Sequence, residues 1–137
     1  DKDFNRLNHF KVEEAGEKVA ILALGDFYQR GEQLSAKIKA ELGFTPTLIN
    51  PRFASGIDKE LLESLSERHQ MVITMEDGIL SGGFGEKIAS FYGSSDMKVK
   101  NYGLDKKFYD RYDPNELLKE VGMTPVQIIA DICNQIK

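Results

Sequence analysis

Short apolar runs alternate with amphipathic stretches along this chain, and the alternation predicts its elements. Phe10 and Val12 alternate with Lys11 and Glu13, the period of two expected of a strand with one face in water. After a turn at Ala15-Gly16-Glu17, Lys18 leads into Val19-Ala20-Ile21-Leu22-Ala23-Leu24, an unbroken apolar run that ends at Gly25. A run without polar alternation is the pattern of a strand covered on both faces, as in a parallel sheet flanked by helices. Together the two segments predict an opening hairpin, with an edge strand antiparallel to the first central strand.

Leu34, Ile38 and Leu42 recur every fourth position and predict a helix that Gly43 terminates. Thr47-Leu48-Ile49 predicts a short strand, entered through Pro46 and left through Asn50-Pro51. Asp58 is placed to cap a helix that carries Leu61, Leu62 and Leu65 and runs to about His69. Met71-Val72-Ile73-Thr74-Met75 predicts the next covered strand, closed by Glu76-Asp77-Gly78. Phe84, Ile88 and Phe91 share one face of a helix that begins after Gly82-Gly83, and the last strand runs from Met97 to Tyr102. Two short helices close the chain. One starts at Asp113-Pro114 and ends near Gly122; the other opens with Thr124 as cap and Pro125 in its first turn. Val126, Ile129, Ile132 and Ile136 form the apolar stripe of that last helix. The whole pattern predicts an α/β fold of three layers: a doubly wound, mostly parallel five-stranded sheet with one antiparallel edge strand and helices on both faces.

Length and charge narrow the picture. A chain of 137 residues suits a single hydrophobic core. Residues 1–8 read as polar linker and 9–137 as the domain, which suggests a piece excised from a longer polypeptide. With 41% hydrophobic and 29% charged residues the composition is that of an ordinary soluble globular domain. A formal net charge of -4 with mixed signs argues against nucleic-acid binding, which needs a basic face. No apolar run reaches the roughly 20 residues a membrane helix needs. Cys133 is the single cysteine and can form no internal disulfide, so a reducing, cytoplasmic compartment is expected.

Five features carry candidate chemistry. Arg52 follows the strand that ends at Asn50. Ligands of open α/β sheets bind beyond the carboxyl ends of parallel strands, where a guanidinium can meet a phosphate or carboxylate bidentately. An arginine in that place can equally pair with a surface carboxylate. The glycine-rich stretch Gly78-Ile79-Leu80-Ser81-Gly82-Gly83-Phe84-Gly85 has neither P-loop nor dinucleotide spacing, and reads as a tight crossover that packs against another chain or domain. Glu76 and Asp77 are adjacent in a strand, so they do not share one face as an acid/base pair would. His9 and His69 fall in no metal-ligand spacing, and His69 at a helix end suits the helix dipole. Cys133 lies beside the last apolar stripe, where a packed thiol is expected. No nucleophile, metal cluster or phosphate loop emerges, which predicts a domain that is no catalyst alone.

Several stretches, taken in order, resemble a known family. Val19-Ala20-Ile21-Leu22-Ala23-Leu24-Gly25 and Pro51-Arg52-Phe53, with Asp58 beyond, resemble the first two strand ends of the C-terminal domain of 1-deoxy-D-xylulose-5-phosphate synthase, a transketolase-type family. Thr74-Met75-Glu76-Asp77-Gly78-Ile79-Leu80-Ser81-Gly82-Gly83-Phe84-Gly85 resembles its Val/Thr-x-Glu-Glu/Asp-x-x-x-x-Gly-Gly-x-Gly segment. Asn101-Tyr102-Gly103-Leu104-Asp105 with Phe108, and Glu116-Leu117-Leu118 followed by Gly122-Met123-Thr124, resemble its last strand and closing helices. The resemblance runs from residue 18 to the end. It implies a parent that holds thiamine diphosphate and magnesium (Mg2+) between earlier domains, with no cofactor in this one. That parent condenses pyruvate with glyceraldehyde 3-phosphate, losing carbon dioxide, in the supply of isoprenoid and thiamine precursors. It also implies a homodimer supported by this domain, and a contact from Arg52 to the phosphate of the aldehyde acceptor. Ser55-Gly56-Ile57-Asp58, Asp105-Lys106 and Asp110-Arg111-Tyr112-Asp113 depart from the family pattern, all on loops. A transketolase-like paralogue, a dehydrogenase β-subunit interface domain and a free-standing flavodoxin-like nucleotide module are the alternatives.

Overall fold

A computed structural model of the chain describes residues 11–24, 28–50, 59–77, 84–93, 95–104 and 125–136. Among the described residues, nine elements follow one another: β1 (Lys11–Glu14), β2 (Lys18–Ala23), α1 (Tyr28–Leu42), β3 (Thr47–Asn50), α2 (Lys59–Leu65), β4 (His69–Asp77), α3 (Phe84–Tyr92), β5 (Lys98–Leu104) and α4 (Pro125–Gln135). The five strands form one sheet in the order β1-β3-β2-β4-β5. β3, β2, β4 and β5 are parallel, and β1 runs antiparallel at the edge.

The apolar run of β2 lies at the centre because both of its faces are covered. Val19, Ile21 and Ala23 point into one core with Leu34 and Ile38 of α1 and Ile128, Ile129 and Ile132 of α4. Ala20 and Leu22 point into the other, with Leu62 and Leu65 of α2 and Ile88 and Tyr92 of α3. The sheet is thus the middle of three layers, with two of the described helices on each side, as the sequence pattern predicts. Burying each large side chain of these clusters contributes about 1.5–3 kcal/mol, and Ile21, Leu22, Ile73 and Ile88 are fully enclosed. Gly43, at φ 80°, ends α1 in the left-handed region.

The opening hairpin is not formed. β1 pairs with β3, Lys11 opposite Asn50 and Val12 opposite Ile49, because β2 already has a parallel neighbour on each edge. To reach that position, the chain crosses the amino end of β3. Gly16 N–H donates to Thr47 Oγ1 at 2.8 Å, and Glu17 N–H donates to the Thr45 carbonyl at 2.8 Å. A Cβ at residue 16 would stand 2.1 Å from the Thr45 oxygen, so only glycine passes here. The crossing ends in a tight turn: Val19 N–H donates to Glu17 O at 2.8 Å around Lys18, whose φ is 69°. That left-handed three-residue turn is rare for a side-chain-bearing residue and stores about 1–3 kcal/mol of strain. Lys39 of α1 grips the edge strand through both carboxylate oxygens of Glu14, at 2.7 and 2.8 Å.

Three further expectations are corrected. α2 ends at Leu65 and His69 opens β4, since the turns at 66–68 are closed by bonds to carbonyls three residues back. In α4, Val126 is 66% exposed and Ile128 is buried; the inward face begins one turn later than the sequence stripe suggests. Cys133 is exposed, because it falls on the outer side of α4 rather than within that face. The 1–8 linker, the helix expected from Asp113 to Gly122 and the Asp58 cap lie outside the described residues.

Candidate functional site

Parallel strands bring their carboxyl ends to one rim. β3, β2, β4 and β5 end there at Asn50, Ala23, Asp77 and Leu104. The connection leaving β2 runs through α1 on one face, whereas that leaving β4 runs through α3 on the other. The two diverge from adjacent strands, which makes the crevice between the ends of β2 and β4 the topological switch point, the usual ligand position of open α/β sheets. Leu24 N–H donates to the Met75 carbonyl at 2.8 Å and holds the two ends together.

Next to this rim, α3 is pressed onto the sheet through a polar contact. Thr74, fully buried in β4, donates its hydroxyl proton to Asn101 Oδ1 of β5 at 2.6 Å. Gly85, in the first turn of α3, leaves room for the pair: a Cβ there would lie 2.8 Å from Asn101 Cγ and 2.9 Å from Thr74 Oγ1. The third glycine of the Gly82-Gly83-Phe84-Gly85 stretch therefore serves close packing of α3 on this domain's own sheet, a contact other than the packing against another chain or domain expected from the sequence. Gly82 and Gly83 lie outside the described residues. Glu76 and Asp77 occupy successive positions of β4, in register with Gly103 and Leu104. Arg52, the substrate-binding candidate, follows Asn50 by two positions and lies outside the described residues, as does His9.

His69 belongs to the opposite rim. Its Nδ1 donates to the Leu65 carbonyl at 2.9 Å, and its Nε2 is 2.7 Å from Thr47 Oγ1. Burial holds the imidazole below its ordinary range; the Leu65 carbonyl and Glu17 pull the other way and Arg68 reinforces the drop. A neutral ring capping a helix carbonyl replaces the charge–dipole contact expected from the sequence. Two tyrosines, not singled out in the sequence, brace helices on both faces. Tyr92 donates to Leu62 O at 2.7 Å, and Tyr102 donates to Asp131 Oδ2 of α4. Burial pushes both phenols up, joined for Tyr102 by the Asp131 carboxylate. Among the described residues, no group of three His, Cys, Asp or Glu side chains is placed to hold a metal ion. No described helix is long and apolar enough to cross a membrane.

An α/β/α domain with a 1-3-2-4-5 sheet and one antiparallel edge is thus in place. The chain belongs to the transketolase C-terminal domain family, whose pattern matches residues 8–128. It is 33% identical to 1-deoxy-D-xylulose-5-phosphate synthase of Shouchella clausii (strain KSM-K16), over 99% of this chain and 22% of that protein. It is 38% identical to the protein of the same name from Clostridium perfringens (strain 13 / Type A), over 82% of this chain and 18% of that one. The chain therefore spans about a fifth of the length of the curated relatives it matches. Among solved structures, a split-gene transketolase described as an inactive β4 tetramer superposes with a TM-score of 0.77 at 24% identity, covering 93% of this chain and 42% of that one. At that identity the likeness speaks for the fold.

Proposed function

We propose that this chain is the C-terminal domain of a thiamine-diphosphate-dependent transferase of the 1-deoxy-D-xylulose-5-phosphate synthase type, and that it contributes acceptor recognition and dimer support rather than chemistry. The observation that carries this reading is the family match over residues 8–128, joined to relatives that share one name and are several times longer. In this reading the parent joins pyruvate to glyceraldehyde 3-phosphate with loss of carbon dioxide, as a cytoplasmic homodimer. Thiamine diphosphate and magnesium are, in this reading, held by the remainder of the parent chain.

Arg52 is the residue through which the domain meets substrate. It stands two positions past the carboxyl end of β3, the side of an α/β sheet at which ligands bind. Its planar fork of N–H donors matches a phosphate dianion and keeps its charge at any working pH. The test is Arg52→Ala in the full-length protein. The KM for glyceraldehyde 3-phosphate should rise about 10- to 100-fold, the effect of losing a charge-assisted hydrogen-bond pair. Turnover of unphosphorylated glyceraldehyde and pyruvate decarboxylation should be little changed. An equal loss for phosphorylated and unphosphorylated acceptors contradicts the phosphate role.

A further inference from the structure

Three hydrogen bonds at the amino rim, away from the proposed substrate side, form a chain whose direction is fixed by its ends. Leu65 O can only accept, so His69 Nδ1 must carry a proton to bond it at 2.9 Å. Gly16 N–H can only donate, so Thr47 Oγ1 must accept from it at 2.8 Å. Between them, Thr47 Oγ1 and His69 Nε2 are 2.7 Å apart. Every group is satisfied in one arrangement: a neutral ring whose Nε2 accepts the Thr47 hydroxyl proton. A second proton on the ring turns Nε2 into a donor. Thr47 Oγ1 would then receive two donors, and its own proton would need a new acceptor in a site where Thr47 is 3% exposed.

What this chain of bonds fastens is a strained crossing. Residues 15–17 carry β1 over to β3, and the left-handed turn at Lys18 (φ 69°) follows immediately. Two backbone bonds share the task, Glu17 N–H to Thr45 O at 2.8 Å and Lys18 N–H to Arg68 O at 2.9 Å. The charged groups around His69 are Glu17 on the crossing, which favours the imidazolium, and Arg68 on the turn after α2, which opposes it. Lys18 lies opposite His69 in the β2–β4 register, with its ammonium over the Phe44 ring at 5.1 Å.

We infer that Gly16, Thr47 and His69 form a proton-sensitive latch that fastens edge strand β1 and its crossing to the sheet, and that acid loosens this corner while the central strands stay closed. Hydrogen exchange of the full-length protein, read by mass spectrometry and corrected for intrinsic rates, tests it. Between pH 7.5 and pH 5.5, peptides spanning residues 11–18 should lose about tenfold in protection, the worth of roughly one hydrogen bond. A peptide spanning residues 71–75 of β4 serves as internal reference and should lose protection only by the change in unfolding free energy that denaturation gives between the same two pH values. His69→Gln should remove the pH dependence; if it fails to fold, Thr47→Val should remove it and Thr47→Ser should retain it. Equal protection of residues 11–18 at both pH values overturns the latch. A pH dependence that persists in His69→Gln or Thr47→Val does so too.

Discussion

The phenol of Tyr92, in α3, donates to the carbonyl oxygen of Leu62, in α2, at 2.7 Å within a buried contact. Leu62 lies in the last turn of α2, where carbonyls lack intrahelical donors, and the turns that follow use carbonyls three residues back. One side chain thereby closes a helix end and joins the two described helices of one face. Tyr92→Phe keeps the ring, its edge-on contact with Phe91 at 5.2 Å included, and removes only the donor. Urea unfolding should show a loss of about 1–2 kcal/mol, the cost of a buried acceptor left without its partner, with an unchanged m value. No loss of stability would place that carbonyl in contact with water.

Gly85→Ala should destabilise the chain by about 1–3 kcal/mol, as overpacking does, even though alanine is the better helix former. The added methyl meets Asn101 Cγ at 2.8 Å and the buried Thr74 hydroxyl at 2.9 Å. A double-mutant cycle separates this cause from helix propensity: in an Asn101→Ala background the cost of Gly85→Ala should shrink by about 0.5 kcal/mol or more. Full additivity would mean that Asn101 is not what the methyl strikes.

Stability should depend on pH through His69. Its pKa is lowered in the folded chain by burial first, so the unfolded chain binds more protons in the interval between the folded value and the ordinary value near 6.5. Unfolding free energy therefore rises with pH across that interval, is complete above about 6.5, and is lost as pH falls towards the folded value. Denaturation midpoints from pH 5 to 8 should follow this slope, and His69→Gln should flatten it. A midpoint that falls as pH rises from 5.5 to 7 would reverse the sign and place a charged imidazole in the folded state.

Much of this fold could be read from particular residues. The unbroken run from Val19 to Leu24 could only be a strand covered twice, and it is the central one. Leu34 and Ile38 marked the inner face of α1, and Pro125 opened α4 as its missing N–H predicts. The pairing of β1 was not legible, since strand partners depend on which edges are already taken, a non-local fact. Its one local trace is Gly16, which reads as an ordinary turn glycine until the crossing over Thr45 is seen. Val126 and Cys133 were misplaced because a four-residue stripe leaves the first turn and the flank of a helix undetermined. Thr47, Thr74, Tyr92 and Tyr102 brace the fold through partners 22 to 30 residues away, beyond any local pattern. Arg52 came from the family resemblance and its place after β3.

The most direct measurement of the central claim is made on the full-length protein that carries this domain. Formation of 1-deoxy-D-xylulose-5-phosphate from pyruvate and glyceraldehyde 3-phosphate is followed with and without thiamine diphosphate and magnesium, for wild type and Arg52→Ala. The predicted result is product that depends on both additions, with kcat/KM for the phosphorylated aldehyde lower in Arg52→Ala by about 10- to 100-fold. Absence of product under every condition, or an unchanged kcat/KM in Arg52→Ala, would contradict the account.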